Sequence, residues 1–296
     1  MAHPATLRSI ILAAAVCVAW PALAGAQARE RIAYVSLTSR DAGTAATDLA
    51  SSDIVIREDR VQREVLSVTP ATGPMPIAVL VDNSAAAEPA IAELRGALAA
   101  FVRALGDLGP VALVTMAERP TVVTAYTASR DALLADVGRI FSRPDSGATV
   151  LEAVSESSNG LLKREGERAA IVLVSLGGVE HSSQHATRVV QELVQSGASL
   201  HVVALSSPGR GSLDDASRQR DTLFARGTRE TGGVRRDILS SMALESALLE
   251  VARVLTHQFR VVYARPQTLI PPESFEVAAT KPGFIAHGTA ARGQPK

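Results

Sequence analysis

One run of residues, 76–84, constrains the fold more than any other part of the chain. It reads PIAVLVDNS, so that an apolar run rich in branched side chains is followed by Asp82, Asn83 and Ser84, just before a helical pattern begins. A continuous apolar run of this kind is typical of a parallel strand buried on both faces. In open α/β sheets, ligands bind in the crevice outside the carboxyl ends of the strands. The run therefore predicts a set of polar side chains at a ligand-binding sheet edge.

The rest of 76–257 predicts an α/β fold with a doubly wound, mostly parallel sheet, because strand and helix patterns alternate along it. Apolar residues at helical spacing predict helices at 91–105, 131–141, 150–162, 185–195 and 244–255. Apolar runs predict strands at 170–176 and 200–205. The strands at 111–117 and 121–126 are joined by Glu118-Arg119-Pro120, which is too short for a crossover helix, so we expect this pair to be antiparallel.

Five segments are predicted along the chain. They are a signal peptide (1–26), an N-terminal β segment (27–75), the α/β domain (76–257), a C-terminal β segment (258–288) and a disordered tail (289–296). Both β segments contain short extended runs separated by turn-forming residues. Because short isolated strands are not stable alone, we expect the two segments to pair with each other and form a small β module.

The amino terminus predicts export. An apolar core at 9–20 precedes Pro21 and is followed by small residues at Ala22, Ala24 and Ala26, which match a signal-peptidase site. The core is shorter than the roughly 20 residues that span a bilayer, so an uncleaved anchor is the less favoured alternative. Cys17 is the only cysteine, and cleavage removes it, which excludes disulfides from the mature chain. We expect a periplasmic or secreted protein that does not insert into a membrane after cleavage.

Charge argues against nucleic acid as a partner. The formal net charge is zero and no long basic run is present. The densest cationic stretch contains Arg226, Arg229, Arg235 and Arg236, and we interpret it as a solvated helix end.

Four stretches together resemble the von Willebrand factor type A-related family found in acidobacterial genomes. They are Ser52–Asp59 with the following Val61–Val65, in which Ile54 stands where that family usually has Phe, then PIAVLVDNS, the loop Ser146-Gly147-Ala148-Thr149, and Thr231-Gly232-Gly233. Val261-Val262-Tyr263 is also similar to the family's last crossing strand. The resemblance implies a Rossmann-like type A domain that binds other proteins, and it covers nearly the whole mature chain.

The resemblance also implies a divalent-cation site with two of its five positions lost. Asp82, Ser84 and Thr149 match the family's ligands, whereas Ala86 replaces a serine and Leu176 replaces an aspartate. Mg²⁺ takes oxygen ligands, typically one or two carboxylates with several waters. We therefore expect a partial site that binds Mg²⁺ weakly if at all, and we expect no other cofactor.

These residues also have an interpretation that needs no cation. Asp, Ser and Thr near a helix start can cap its free N–H groups, and this is the role we favour for Asp82, Ser84 and Thr149. Asn83 and Glu180 are assigned to the ligand-binding edge. Glu180 follows the central strand, and although it could replace the lost carboxylate, we expect it to be solvated in a loop.

No nucleophile elbow, Walker loop or dinucleotide fingerprint is present in the sequence. His181 and His185 are spaced by four but lack the glutamate that directly follows the first histidine of a zinc-protease helix, so we expect both to be solvent-exposed. His201 is expected to be a hydrogen-bonded residue at a sheet edge. The sequence thus predicts an exported, non-enzymatic, metal-independent binding module, with cation-dependent adhesion or an envelope scaffold as alternatives.

Overall fold

The computed structural model describes residues 28–40, 43–206, 214–266, 270 and 272–293. The predicted signal peptide therefore lies outside the described residues. Within them, no helix combines the length and apolar character that a bilayer crossing requires.

A six-stranded sheet forms the centre of the molecule. Its strands in spatial order are β10 (Arg235–Ile238), β9 (Ala198–Leu205), β8 (Ala169–Ser175), β5 (Ile77–Val81), β6 (Val111–Thr115) and β7 (Thr121–Thr127). All neighbours are parallel except β6 and β7, which pair antiparallel as predicted. Every residue of β5 and β8 is buried, because both strands lie in the interior of the sheet with helices on both faces.

Among the described residues, six helices flank this sheet in two layers. They are α1 (Ile91–Ala104), α2 (Arg130–Val137), α3 (Val150–Leu162), α4 (Ala186–Ser196), α5 (Asp215–Glu230) and α6 (Leu244–Thr256). One apolar cluster joins α1, α2 and α6 to one face of the sheet, and a second joins α3, α4 and α5 to the other. The predicted doubly wound α/β architecture is confirmed.

The N- and C-terminal segments build two further sheets, which we call the β module. The first has the order β13 (Phe284–Ala290), β1 (Ala28–Ser39), β11 (Phe259–Pro266) and β4 (Val65–Pro70). The second has the order β12 (Phe275–Ala279), β2 (Ile54–Glu58) and β3 (Val61–Arg63). Antiparallel pairing of β1 with β11 and of β2 with β12 confirms that the two chain ends pair with each other. The boundaries that the sequence predicts at residues 26, 75 and 257 are retained as a proposal.

A buried ionic cluster connects the two sheets of the β module. Glu58 is 2% exposed, and its carboxylate accepts hydrogen bonds from the Tyr263 hydroxyl (2.9 Å) and from Arg63 Nε (3.2 Å). Arg265 Nε lies 3.2 Å from the same carboxylate. A buried carboxylate is stable only when its oxygens are paired in this way, so Glu58 ties β2, β3 and β11 to one another.

The Thr231-Gly232-Gly233 stretch is where the β module contacts the α/β domain. A Cβ added to Gly232 would lie 1.8 Å from the Gly288 carbonyl oxygen, and one added to Gly233 would lie 1.8 Å from that of Leu200. The Thr289 hydroxyl donates a 2.7 Å hydrogen bond to the Thr231 carbonyl. The two glycines allow β13 and β9 to approach this turn from opposite sides.

His201 lies inside the six-stranded sheet rather than at its edge, because β10 continues the sheet beyond β9. It is 1% exposed, its Nδ1 accepts a hydrogen bond from the Val234 N–H (3.2 Å), and its Nε2 lies 3.0 Å from Ser199 Oγ. Burial, with a smaller contribution from His287, lowers the pKa of His201 to about 3. Burial also lowers the pKa of His287, on β13, to about 4. His201 is therefore a buried neutral histidine, and His287 is a half-buried one near the junction.

The sequence also misplaced the end of α2 and the start of the disordered tail. Helix α2 ends at Val137, not near 141. A turn follows the helix, in which the Ile140 N–H donates to the Val137 carbonyl (3.2 Å), and the chain then continues as a loop. The tail predicted to be disordered from residue 289 is ordered as far as 293, since β13 ends at Ala290 and Arg292 Nε donates to the Ser196 carbonyl (2.8 Å). Residues 294–296 lie outside the described part of the chain.

The cationic stretch is not one helix end. Arg226 and Arg229 lie in the last turns of α5, but Arg235 and Arg236 lie in β10. Helix α5 and strand β10 were not predicted, because the α5 sequence is mostly polar and only Leu223 and Phe224 supply large apolar side chains to the core.

Candidate functional site

The carboxyl ends of the parallel strands meet at one edge of the six-stranded sheet, and the residues singled out from the sequence gather there. Asp82, Asn83 and Ser84 follow β5, Leu176 and Glu180 follow β8, and Thr149 precedes α3. All of these side chains are at most 6% exposed. We call this set of loops the carboxyl edge.

Asp82 fixes two loops of the carboxyl edge to each other. Its Oδ1 accepts a hydrogen bond from the Ser84 N–H (3.0 Å), and its Oδ2 accepts one from the Leu176 N–H (2.9 Å). Hydrogen bonds from backbone N–H groups to a buried carboxylate are among the stronger ones in proteins. Asp82 therefore caps backbone donors, as the cation-free interpretation expected, but one of them belongs to the loop after β8 rather than to the next helix.

Ser84 lies where three loop segments pack closely. Its Oγ is buried and has no hydrogen-bond partner among the described residues. A Cβ added to Gly178 would lie 2.7 Å from that oxygen and 3.1 Å from the Ala86 Cβ. The Ser84 side chain makes no cap hydrogen bond to the helical turn that follows it, so the capping role expected for Ser84 is wrong.

Glu180, not Thr149, caps the start of α3. The Thr149 hydroxyl donates to the Met116 carbonyl (3.0 Å) and does not cap α3. Instead, Glu180 Oε1 accepts the Val150 N–H (3.0 Å) at the start of that helix. Glu180 is 4% exposed, so the expectation of a solvated side chain is wrong. Backbone bonds between Ala148 and the 179–181 segment hold the carboxylate against the helix start.

Glu180 is also a carboxyl group of the carboxyl edge whose pKa is raised. Burial raises its pKa to about 7, although hydrogen bonds from Ser182 and the Val150 N–H, together with the charge of Arg220, act to lower it. Its Oε2 is buried without a hydrogen-bond partner in the described structure. A carboxyl group in such a site exchanges its proton near neutral pH.

Asn83 uses its side chain inside the protein. Its Oδ1 accepts the Ala117 N–H (3.0 Å), and its Nδ2 donates to the Phe141 carbonyl (3.2 Å). Its own carbonyl accepts the Arg143 N–H (2.8 Å). Asn83 therefore lies at the carboxyl edge, and its side-chain amide and its carbonyl bond to the loop at 138–144.

That loop forms one wall of a cleft that sequence reasoning missed. The cleft has a volume of about 580 Å³, and its lining includes Asn83, Glu118, Arg119, Arg139, Phe141 and Arg143. We call it the arginine cleft. Arg143 pairs with Glu118 at 3.1 Å, and the guanidinium of Arg95 lies 4.4 Å from the centre of the Phe141 ring. The sequence signal was Arg119 in one predicted turn and Arg139 and Arg143 just before another, and it was not recognised.

The donors at the matched positions do not fit a divalent cation well. Leu176 packs into the apolar core and Ala86 carries no side-chain oxygen, so the matched positions supply one carboxylate and two hydroxyls. The hydrogen bonds of Asp82 and Thr149 leave lone pairs on the same oxygens. Only Ser84 Oγ among them has no partner within the described part of the chain. In that part, no group of three or more His, Cys, Asp or Glu side chains is arranged to hold a metal ion.

No protein-family model matches the chain, and no curated protein sequence matches it. Solved structures do match. A von Willebrand factor type A protein from Catenulispora acidiphila aligns with a TM-score of 0.50 at 11% identity, over 89% of this chain and 72% of that one. Proximal thread matrix protein 1 from the mussel byssus aligns with a TM-score of 0.50 at 13% identity, over 68% of this chain and 50% of that one. The chain therefore has the fold of a von Willebrand factor type A domain, with the β module built from its two ends.

Proposed function

We propose that this protein is an exported, non-enzymatic module that binds a partner protein at the carboxyl edge and needs no divalent cation to do so. Export rests on the sequence pattern at 9–26. The binding role is supported by the position of the edge, since open α/β sheets bind ligands there.

One observation carries the proposal. Large apolar side chains are exposed along the carboxyl edge: Phe141 (65%), Val179 (63%), Leu239 (78%) and Met242 (84%). Val179 follows β8, and Leu239 and Met242 follow β10. Phe141 lies in the loop after α2, where its carbonyl accepts a hydrogen bond from Asn83, which follows β5. Exposed apolar groups rimmed by polar residues are typical of protein interaction sites, and their burial by a partner would contribute to binding.

Independence from metal is supported by the number of donors at the matched positions. Ala86 and Leu176 carry no side-chain oxygen, so Asp82 is the single carboxylate there, together with the hydroxyls of Ser84 and Thr149. One observation favours cation-dependent adhesion as the second candidate, namely the unpartnered Ser84 Oγ at a position that matches the family's ligands.

Site-specific photo-crosslinking in the native host tests the proposal. A photoreactive phenylalanine analogue is placed at Val179 or Met242, with a control at Leu162, which is 55% exposed but lies at the opposite end of α3. We expect the same partner band from Val179 and Met242, with EDTA present, and no such band from Leu162. A band that requires added Mg²⁺ would favour the adhesion candidate, and crosslinks from Leu162 alone would refute the proposal.

A further inference from the structure

Strand β7 is an outer strand of the six-stranded sheet, and its pairing with β6 shifts register near Leu113. It pairs with β6 on one side, and among the described residues no strand pairs with its other side. Proteins usually protect such strands with charged residues, proline or short length. The opposite outer strand, β10, has four residues, three of them charged, whereas the seven residues of β7 contain no charge and no proline.

The first half of β7 is also exposed. Val122 is 64% exposed and Val123 is 36% exposed, although both are residue types that favour strands. The second half is anchored: Thr124 Oγ1 donates to Asp136 of α2 (2.7 Å), and Tyr126 lies 3.8 Å beneath the guanidinium of Arg164. The strand is therefore held rigidly while its beginning remains accessible.

The arginine cleft lies at this accessible beginning. Thr121 and Val123 of β7 line it together with three arginines and one glutamate, so its lining is positively charged. Arg139 pairs with Asp136 (3.1 Å) and is 75% exposed, and Arg143 pairs with Glu118. Arg119 makes no ion pair within the described residues and is exposed. Guanidinium groups bind carboxylates through two parallel hydrogen bonds, which makes acidic side chains the complementary ligand.

We propose that an extended acidic segment of a partner protein adds to β7 as a further strand and places its carboxylates on Arg119, Arg139 and Arg143. Backbone hydrogen bonds to the outer strand supply affinity in this mode of recognition, and neighbouring side chains supply selectivity. This inference rests on the proposed function for the protein nature of the partner. It concerns β7 and the arginine cleft, not the exposed residues Val179 and Met242.

Peptide binding to the purified mature protein in EDTA tests the inference. Two capped decapeptide pools are compared by fluorescence anisotropy, one randomised over Val, Thr, Ile, Asp and Glu and the other with Lys and Arg in place of the acids. We expect the acidic pool to bind and the basic pool not to bind. Equal binding of the two pools, or no binding by either, would overturn the inference.

A matched pair of variants locates the site. Arg119→Glu with Arg139→Glu should weaken binding of the acidic pool by about tenfold, as expected for reversing two exposed charges. Arg188→Glu with Arg229→Glu is the control, since these arginines are 75% and 72% exposed on α4 and α5. The assignment of the binding site to the arginine cleft is contradicted if only the control variant loses binding, or if the two double variants lose it to the same extent.

Backbone methylation tests the strand pairing. An acidic pool with N-methyl groups at alternate residues should not bind, because it cannot complete a ladder of hydrogen bonds. Unchanged binding would overturn strand addition. If the protein forms a concentration-dependent dimer and Val122→Lys dissociates it, a second copy of the chain occupies β7. That result would also overturn the inference. Crosslinking at Val179 and Met242 is a separate measurement, so either proposal can fail without the other.

Discussion

Acid destabilisation through His201 is the prediction that the structure defines best. His201 is buried and neutral, and its pKa is lowered to about 3 from an ordinary value of 6.5. A histidine whose folded pKa is depressed gives stability that is present above its unfolded pKa and is lost as the pH falls below it. The loss should therefore begin below about pH 6.5 and continue towards pH 3.

The magnitude follows from the two pKa values. At pH 5 the unfolded chain carries a proton on this histidine and the folded chain does not, which costs roughly 2 kcal/mol of stability relative to pH 7. His287, with a pKa lowered to about 4, should act in the same direction. Glu180 should act in the opposite direction, because its folded pKa is raised and protonation there favours the folded state as the pH falls.

Substitution of His201 by glutamine isolates its contribution. The amide of Gln can accept the Val234 N–H and donate to Ser199 Oγ, which are the two hydrogen-bond partners of the histidine. Urea unfolding at pH 7 and pH 5 is measured for the original chain and for His201→Gln. The control variant is His185→Gln, because His185 is exposed. Because Glu180 is present in every chain, its contribution cancels. We expect the original chain to lose roughly 2 kcal/mol more than His201→Gln between these pH values, and equal losses would refute the reasoning.

Three further predictions concern export, architecture and the metal. Cleavage should leave a mature chain beginning near Gly25 or Gln27; amino-terminal sequencing of secreted material checks this, and intact Met1 in a membrane fraction would contradict it. Deleting 264–296 removes partners of β1 and β2, so hydrogen exchange should accelerate in 30–70 while 76–257 stays largely protected; unchanged exchange in 30–70 would count against the pairing. Calorimetry should detect Mg²⁺ binding no tighter than millimolar, and Ala86→Ser with Leu176→Asp should strengthen it; micromolar binding by the unmodified chain would support cation-dependent adhesion.

The substitution at Leu176 has a cost that the structure makes explicit. Leu176 is 3% exposed and packs in the cluster that joins α1 and α6 to the sheet. An aspartate there loses this packing and brings a second carboxylate to the edge that holds Asp82, so we expect destabilisation of about 2–5 kcal/mol without metal. Thermal unfolding of Leu176→Asp with and without Mg²⁺ measures this cost, and metal should restore part of the loss.

Much of the fold follows from local patterns in the sequence. The apolar run at 77–81, the helical spacing at 150–162 and the short Glu118–Pro120 connection each predict an element that the structure contains. These patterns are readable because the side-chain period of an element and the length of its connection are local properties. Helix α5 was missed for the same reason, since its few apolar residues give no clear period.

The roles of the polar residues depended on contacts between distant parts of the chain. The sequence by itself determined that Asp82, Ser84, Thr149 and Glu180 stand at strand and helix ends, and that Leu176 cannot ligate a metal. Only the tertiary structure decided that Glu180 caps α3, that Asp82 bonds to Leu176 N–H, and that Arg119 and Arg139 line one cleft. Each of these contacts joins residues far apart in sequence, and their distances are set by how the loops of separate strands pack at one edge of the sheet.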